Sequence, residues 1–184
     1  HDAELALYDI NQDRLEESRA LITAMNENCN KGRAGIKTYL GAESRKQALL
    51  GADFVVNAIQ VGGYDPCTIT DFEIPKKYGL KQTIADTLGV GGVFRALRTI
   101  PVMLDFARDM EEVCPNAWFL NYTNPMAMLC RTVQGRFPKM VCSGLCHSVQ
   151  GTASMLARWI GADEKERPRP FCGMAVVPDG AAAE

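Results

Sequence analysis

The sequence predicts an α/β fold: a Rossmann-like, doubly wound, mainly parallel sheet, incomplete at its N-terminus. Short apolar runs that read as strands alternate with helix-patterned segments along the 184 residues. The runs are continuously apolar rather than half polar, as in a parallel sheet covered on both faces. Polar and glycine residues gather just after these runs, where open parallel sheets bind their ligands.

In chain order, Leu5–Ile10 is a short apolar run carrying an acid near its end, and it reads as a buried strand. Asn11 or Asp13 caps a helix with apolar positions at Leu15, Leu21, Ile22 and Met25. Ile36–Leu40 alternates like a strand, and Ser44–Leu50 reads as a short helix. Asp53–Val61 is a strongly apolar strand closed by Gly62-Gly63. From Tyr64 to Gly92 a loop-and-helix region is dense in Gly, Pro, Thr and Asp, and loops of that length are usually functional. Val93–Val113 has helical spacing and is expected to bend or restart at Pro101. Ala117–Asn121 is a strand, Met126–Val133 a helix with Pro125 at its start, Met140–Leu145 a strand and Val149–Ile160 a helix. Arg167–Glu184 fits no recognisable element.

Composition excludes several classes of partner. Hydrophobic residues make up 47% and charged residues 23%, the profile of an ordinary globular chain. A net charge of −2 gives no footprint for nucleic acid or an anionic membrane. No apolar run approaches the roughly 20 residues that span a bilayer. The first residues carry neither the basic start nor the apolar stretch of a signal peptide. Seven cysteines, an odd number without a C-x-x-C, read as free thiols in a reducing cytoplasm.

The strand ends carry the candidate chemistry. Asp9 stands where a dinucleotide-binding fold places the acid that holds ribose hydroxyls, and it serves equally as a helix-capping acid. Gly89-Val90-Gly91-Gly92 precedes a helix and offers backbone N–H groups to an anion, or is a plain turn. Asn121 and Asn124 place two amides at a strand-to-helix turn, where Asn-Pro is also a common turn device. Cys146-His147 pairs the two softest metal-ligand types at another strand end, although most buried cysteines are simply core residues.

Together these residues resemble a known family. The runs Gln60–Glu73, Gln82–Gly89, Arg95–Pro101, Asn121–Met128 and Gly144–Thr152 are similar, in order, to the α-galactosidase branch of glycoside hydrolase family four. This NAD-dependent family is an exception to two-carboxylate glycoside hydrolysis. The resemblance implies a redox-assisted elimination: NAD takes a hydride from sugar C3, a tyrosine base removes the acidified C2 proton, the C1–O bond breaks, water adds and the hydride returns. It implies Mn2+ or another divalent metal on the 2- and 3-oxygens. It assigns Cys146 as a metal ligand, His147 as the acid that protonates the leaving oxygen, Asn124 as a substrate-binding amide and Asn121 as a cofactor-binding one. Asp86 would tune the base and Asp9 would bind the NAD ribose.

The sequence also departs from the pattern. No glycine-rich phosphate loop precedes Asp9, and Val90 replaces the proline usual in the glycine-rich turn. The Asn-His pair expected soon after Cys172 is replaced by Gly173-Met174-Ala175-Val176-Val177, which a truncation or frame shift would explain. Residues 1–184 are therefore expected to be one partial NAD-binding domain, lacking its first strand, its glycine-rich loop and the C-terminal catalytic domain. The expected function is hydrolysis of a small α-galactoside by a cytoplasmic enzyme, homo-oligomeric at full length. The alternatives are an NAD-dependent 2-hydroxy-acid dehydrogenase and a catalytically inert fragment. The Cys146-His147 pair speaks against the dehydrogenase, which needs an Arg clamp and a His–Asp pair.

Overall fold

The structure, a computed structural model, describes residues 2–84, 87–146, 148–162 and 174–175. Its contacts divide the chain into two compact units, His1–Ala52 with Arg108–Pro115, and Asp53–Ala107 with Asn116–Glu184. The strands and helices alternate as the apolar runs predict, and the strand pairing is parallel throughout except at the last strand.

In the first unit, β1 (Glu4–Asp9) pairs in parallel with β2 (Gly35–Leu40), Asp9 opposite Leu40. Parallel partners need a crossover, and α1 (Gln12–Asn30) supplies it. Asn11, not Asp13, is its N-cap: the Asn11 side chain accepts from the Arg14 N–H at 3.0 Å. Lys31, at φ +57°, closes the other end. Asn26 then pins the return of the chain, donating to Ala34 O at 2.9 Å and accepting from Ala34 N at 3.1 Å. Of the apolar positions on α1, Leu15 is buried, whereas Leu21 and Met25 are exposed. A 3₁₀ turn (Ala42–Ser44) leads into the short α2 (Arg45–Leu49). Asp109 is buried against it and ion-paired to Arg45.

In the second unit, β3 (Phe54–Asn57), β4 (Trp118–Asn121) and β5 (Cys142–Gly144) form a parallel sheet in that order. A two-residue β6 (Met174–Ala175) pairs antiparallel with β5. β3 is shorter than the apolar run that predicts it, and Phe54 and Val56 on one of its faces are exposed, as is their neighbour Trp118. The opposite face carries the core. Phe119 is buried there, as are Met103, Phe106, Leu129 and Val133 of α4 (Gly89–Val113) and α5 (Met126–Arg136). Alternation along a strand accounts for the difference: side chains at i and i+2 share a face.

After β3 the chain makes a π-type turn (Gly63–Thr68) and then α3 (Ile69–Lys77). α4 runs through Pro101 as a single helix, and the glycine-rich segment expected as a turn is its first turn. After β5 comes α6 (Ser148–Ile160). No helix among the described residues is long and apolar enough to cross a membrane.

Leu129 is fully buried against the sheet. Leu129→Ala is therefore expected to cost about 2–5 kcal/mol of stability, read as a lower urea midpoint. A loss under about 1 kcal/mol would contradict the packing described for this face.

Candidate functional site

The parallel register sets the site. Asn57, Asn121 and Gly144 stand opposite one another at the carboxyl ends of β3, β4 and β5. The segments that follow them, Ala58–Gln60, Tyr122–Asn124 and Leu145–Cys146, therefore leave the sheet at the same edge. The convergence expected from the sequence holds for these three ends. Asp9, at the end of β1, belongs to the other unit.

A buried polar network lies beneath this edge. Asn57 is 5% and Asn121 0% exposed. Asn57 Nδ2 donates to Asn121 Oδ1 at 2.8 Å and to Thr123 Oγ1 at 3.1 Å, and it also lies 3.1 Å from Met103 Sδ. Asn121 Oδ1 accepts from the Thr123 backbone N–H at 3.1 Å, and its Nδ2 donates to Thr123 O at 3.0 Å. Thr123 Oγ1 donates to Ile59 O at 2.9 Å, which ties the β4 turn to the segment after β3. Burial makes each of these groups costly to leave unpaired. The Asn121 side chain is thus wholly engaged by the protein and shapes the turn. Asn124, three residues on, is half-buried at its rim, just before a cis Pro125.

Two arginines on α4 fasten the loops around this turn. Arg98 forms a fork with Asp71 of α3, Nη1 to Oδ1 at 3.2 Å and Nη2 to Oδ2 at 2.6 Å, and its Nε donates to Val61 O at 3.1 Å. Asp71 is 2% exposed, so this fork is what makes its burial tolerable. Gly62, at φ +84°, lies under it: an added Cβ would meet the Cys67 side chain and come within 3.1 Å of Arg98 Cδ. Arg95 donates from Nε to Asn124 O at 3.2 Å and from Nη1 to Thr68 Oγ1 at 3.4 Å. Thr68 also accepts from Gln60 Nε2 at 3.3 Å.

These groups border a cleft of about 360 Å³ lined by Gln60, Tyr64, Thr68, Phe72, Thr83, Ile84 and Arg95. A larger groove of about 450 Å³ between α4 and α5 is lined by Val93, Ala96, Leu97, Ile100 and Met128 with Arg131 and Thr132. Only the smaller cleft adjoins the strand-end turn, through the bonds of Arg95 to Asn124 O and Thr68. Neither Arg95 nor Asn57 is singled out by its type alone. The readable signal for the arginines was two cations set in the apolar run Val93–Val102, where each needs a partner.

Cys146 is half-buried, with Sγ 2.8 Å from Ser148 Oγ. Hydrogen bonds from the Ser148 hydroxyl and then its backbone N–H hold the thiol below its ordinary range, which favours the thiolate. Among the described residues no group of three His, Cys, Asp or Glu side chains converges. One soft donor does not make a metal site, so the described residues do not by themselves complete one. His147 and Asp86 lie outside the described residues.

Asp9 accepts from Arg14 Nη2 at 2.6 Å and Nε at 3.1 Å and from the Asn11 N–H at 2.8 Å. The Arg14 fork, opposed by desolvation, holds its carboxyl below the usual value. A carboxylate has room for a further donor such as a ribose hydroxyl, so Asp9 fits the nucleotide-binding role by its chemistry.

Two predictions follow from these contacts. A lowered folded-state pKa stabilises above the ordinary carboxylate range and is lost as pH falls through the folded value. An NMR titration should accordingly show Asp9 ionising below ordinary aspartates, with its midpoint rising in Arg14→Gln; an unmoved midpoint would contradict the fork. For the buried network, a double-mutant cycle of Asn57→Ala and Asn121→Ala should be non-additive. Either single change is expected to cost about 1–3 kcal/mol by orphaning its partner, and the second much less. Strict additivity would mean that the two amides do not act together.

The sequence matches the family described as Family 4 glycosyl hydrolase over residues 1–162. It is 54% identical over 160 residues to an α-galactosidase of Bacillus subtilis (strain 168), covering 87% of this chain and 36% of that protein. It is 40% identical over 152 residues to an α-galacturonidase of Thermoanaerobacterium saccharolyticum, covering 83% of this chain and 32% of that protein. Among solved structures, it superposes with a TM-score of 0.70 and 26% identity on the 6-phospho-β-glucosidase of Thermotoga maritima solved with NAD and glucose-6-phosphate, covering 88% of this chain and 37% of that one. The chain thus spans about a third of the length of the curated relatives it matches. With a parallel α/β fold and a match over residues 1–162, the chain belongs to the family 4 glycosyl hydrolases.

Proposed function

We propose that this chain is the nucleotide- and sugar-binding part of an enzyme that hydrolyses α-galactosides by NAD-dependent, metal-assisted elimination. The observation that carries this reading is the row of strand ends bearing Asn124 and Cys146 in a sequence 54% identical to an α-galactosidase. Membership of a glycosidase family favours this reaction over that of a 2-hydroxy-acid dehydrogenase.

Each described residue has a task that its surroundings support. Asn124 offers an amide to the sugar hydroxyls, with its backbone carbonyl fixed by Arg95. Cys146, eased toward the thiolate by Ser148, offers a soft anionic donor at the neighbouring strand end. Asp9, oriented by its bonds to Arg14 and the Asn11 N–H, accepts hydrogen bonds from the ribose of NAD. Asn121 acts as a positioning residue for the turn rather than through direct contact with the cofactor, because its amide is spent within the protein. When bound, NAD supplies a reversible hydride acceptor that is regenerated each turnover. Manganese dependence is drawn from the family resemblance.

The test is hydrolysis of a nitrophenyl α-galactoside by the chain with NAD, manganese and a thiol reductant. Release of nitrophenol that stops when NAD is withdrawn supports the reading, and Asn124→Ala should raise KM by about tenfold or more. Hydrolysis that continues without NAD would refute the redox route, and none under any condition would make the chain an inert fragment.

A further inference from the structure

Arg95 sits on α4 among apolar neighbours, so its guanidinium must find acceptors. Its neighbour Arg98 has a carboxylate, Asp71. Arg95 has none: among the described residues its partners are a carbonyl, Asn124 O, and a hydroxyl, Thr68 Oγ1. These use Nε and one donor of Nη1, leaving the remaining Nη donors for another molecule. Arg95 borders the cleft of about 360 Å³ described above.

The rest of the lining indicates what kind of molecule fits. Gln60 spends its amide N–H on Thr68, and no described residue donates to its Oε1. The cleft therefore presents a donor fork from Arg95 and an acceptor from Gln60, with the rings of Tyr64 and Phe72 beside them. A carboxylate or phosphate offers acceptors only and would leave Gln60 Oε1 unmatched. A vicinal pair of hydroxyls both accepts and donates, and its oxygens lie close enough together for a planar fork. The apolar C–H face of a hexose can pack on aromatic rings.

We propose that Arg95 is a sugar-binding residue, its unengaged Nη donors bonding a vicinal hydroxyl pair of a neutral hexose while Gln60 Oε1 accepts from one of them. Through Nε it also holds Asn124 O, so the fork and the Asn124 amide keep a fixed separation on the same ligand. Lysine at this position would keep the charge but lose both the fork and the hold on the turn. This inference rests on the glycoside reading of the site and adds to it the residue that recognises the sugar.

The experiment is a titration of the 184-residue chain with D-galactose and, separately, D-galacturonate, followed by the Arg95 Nε–H and Asn124 amide signals in 1H–15N spectra. Saturable shifts of both signals with galactose are expected. Arg95→Gln and Arg95→Lys should each weaken galactose binding by about tenfold or more while signals remote from the cleft stay in place. The proposal falls if galactose leaves the Arg95 signal unmoved, or if either variant binds galactose like the parent. It falls equally if galacturonate binds about tenfold tighter than galactose and that preference vanishes in Arg95→Gln, which would make the cleft an anion site. If a variant fails to fold, the shift of the parent's own Arg95 signal still decides. Galactose binding at Arg95 without any glycoside hydrolysis would make the chain an inert fragment and leave this inference standing, and hydrolysis with unchanged KM in Arg95→Gln would sink this inference alone.

Discussion

A hydrogen bond between two buried amides, Asn57 and Asn121, holds the candidate site together. The two residues end adjacent parallel strands and face each other across the ladder. Polar side chains at 5% and 0% exposure are destabilising unless every donor and acceptor is met. Here Asn57 Nδ2 and both polar atoms of the Asn121 amide are met by one another and by Thr123, whose hydroxyl reaches Ile59 O. The geometry of both strand exits is therefore set in the interior. A surface loop free to vary would not present Asn124 at a constant height above the sheet; this one is tied down from beneath.

The arginines of α4 extend that constraint outward. Arg98 fixes Val61 O and the buried Asp71, closing the segment after β3 against α3 and α4. Arg95 fixes Asn124 O and Thr68, joining the segment after β3 to the turn after β4. One helix thus fastens two loops with two cations three residues apart, close to one turn of helix. In the first unit the same device appears on a smaller scale: Arg14 holds Asp9 at the end of β1, and Asn11 caps the helix that follows. Pairing with Arg14 holds the Asp9 carboxyl below the ordinary carboxylate range.

Much of this was legible in the sequence. Apolar runs of strand length, separated by helical spacing, gave the parallel α/β class, because a strand buried in a parallel sheet has few polar positions. Strand-end residues such as Asn121, Asn124 and Cys146 were legible for the same topological reason. What pattern could not tell was the direction a side chain takes. Asn121 and Asn124 look alike in sequence, yet Asn121 is fully buried with its amide bonded to Thr123 while Asn124 lies half-buried at the rim. Phe54 and Val56 belong to the same apolar run as Val55 and nevertheless lie exposed, since periodicity does not say which face of a sheet is covered. The spacing predicts a bend or restart at Pro101; α4 continues through it as one helix despite the lost backbone hydrogen bond. Arg95 and Arg98 were visible as cations in an apolar run, but their partners lie about 27–37 residues away and depend on the fold.

The central claim is that the edge formed by the ends of β3, β4 and β5 is a sugar site held open by a buried amide network and by Arg95. A crystal structure of the chain grown with D-galactose tests it most directly. The account predicts the sugar in the cleft, its hydroxyls within hydrogen-bond reach of Arg95 and Asn124. A sugar seated in the apolar groove between α4 and α5, or no sugar at saturating concentration, would contradict it.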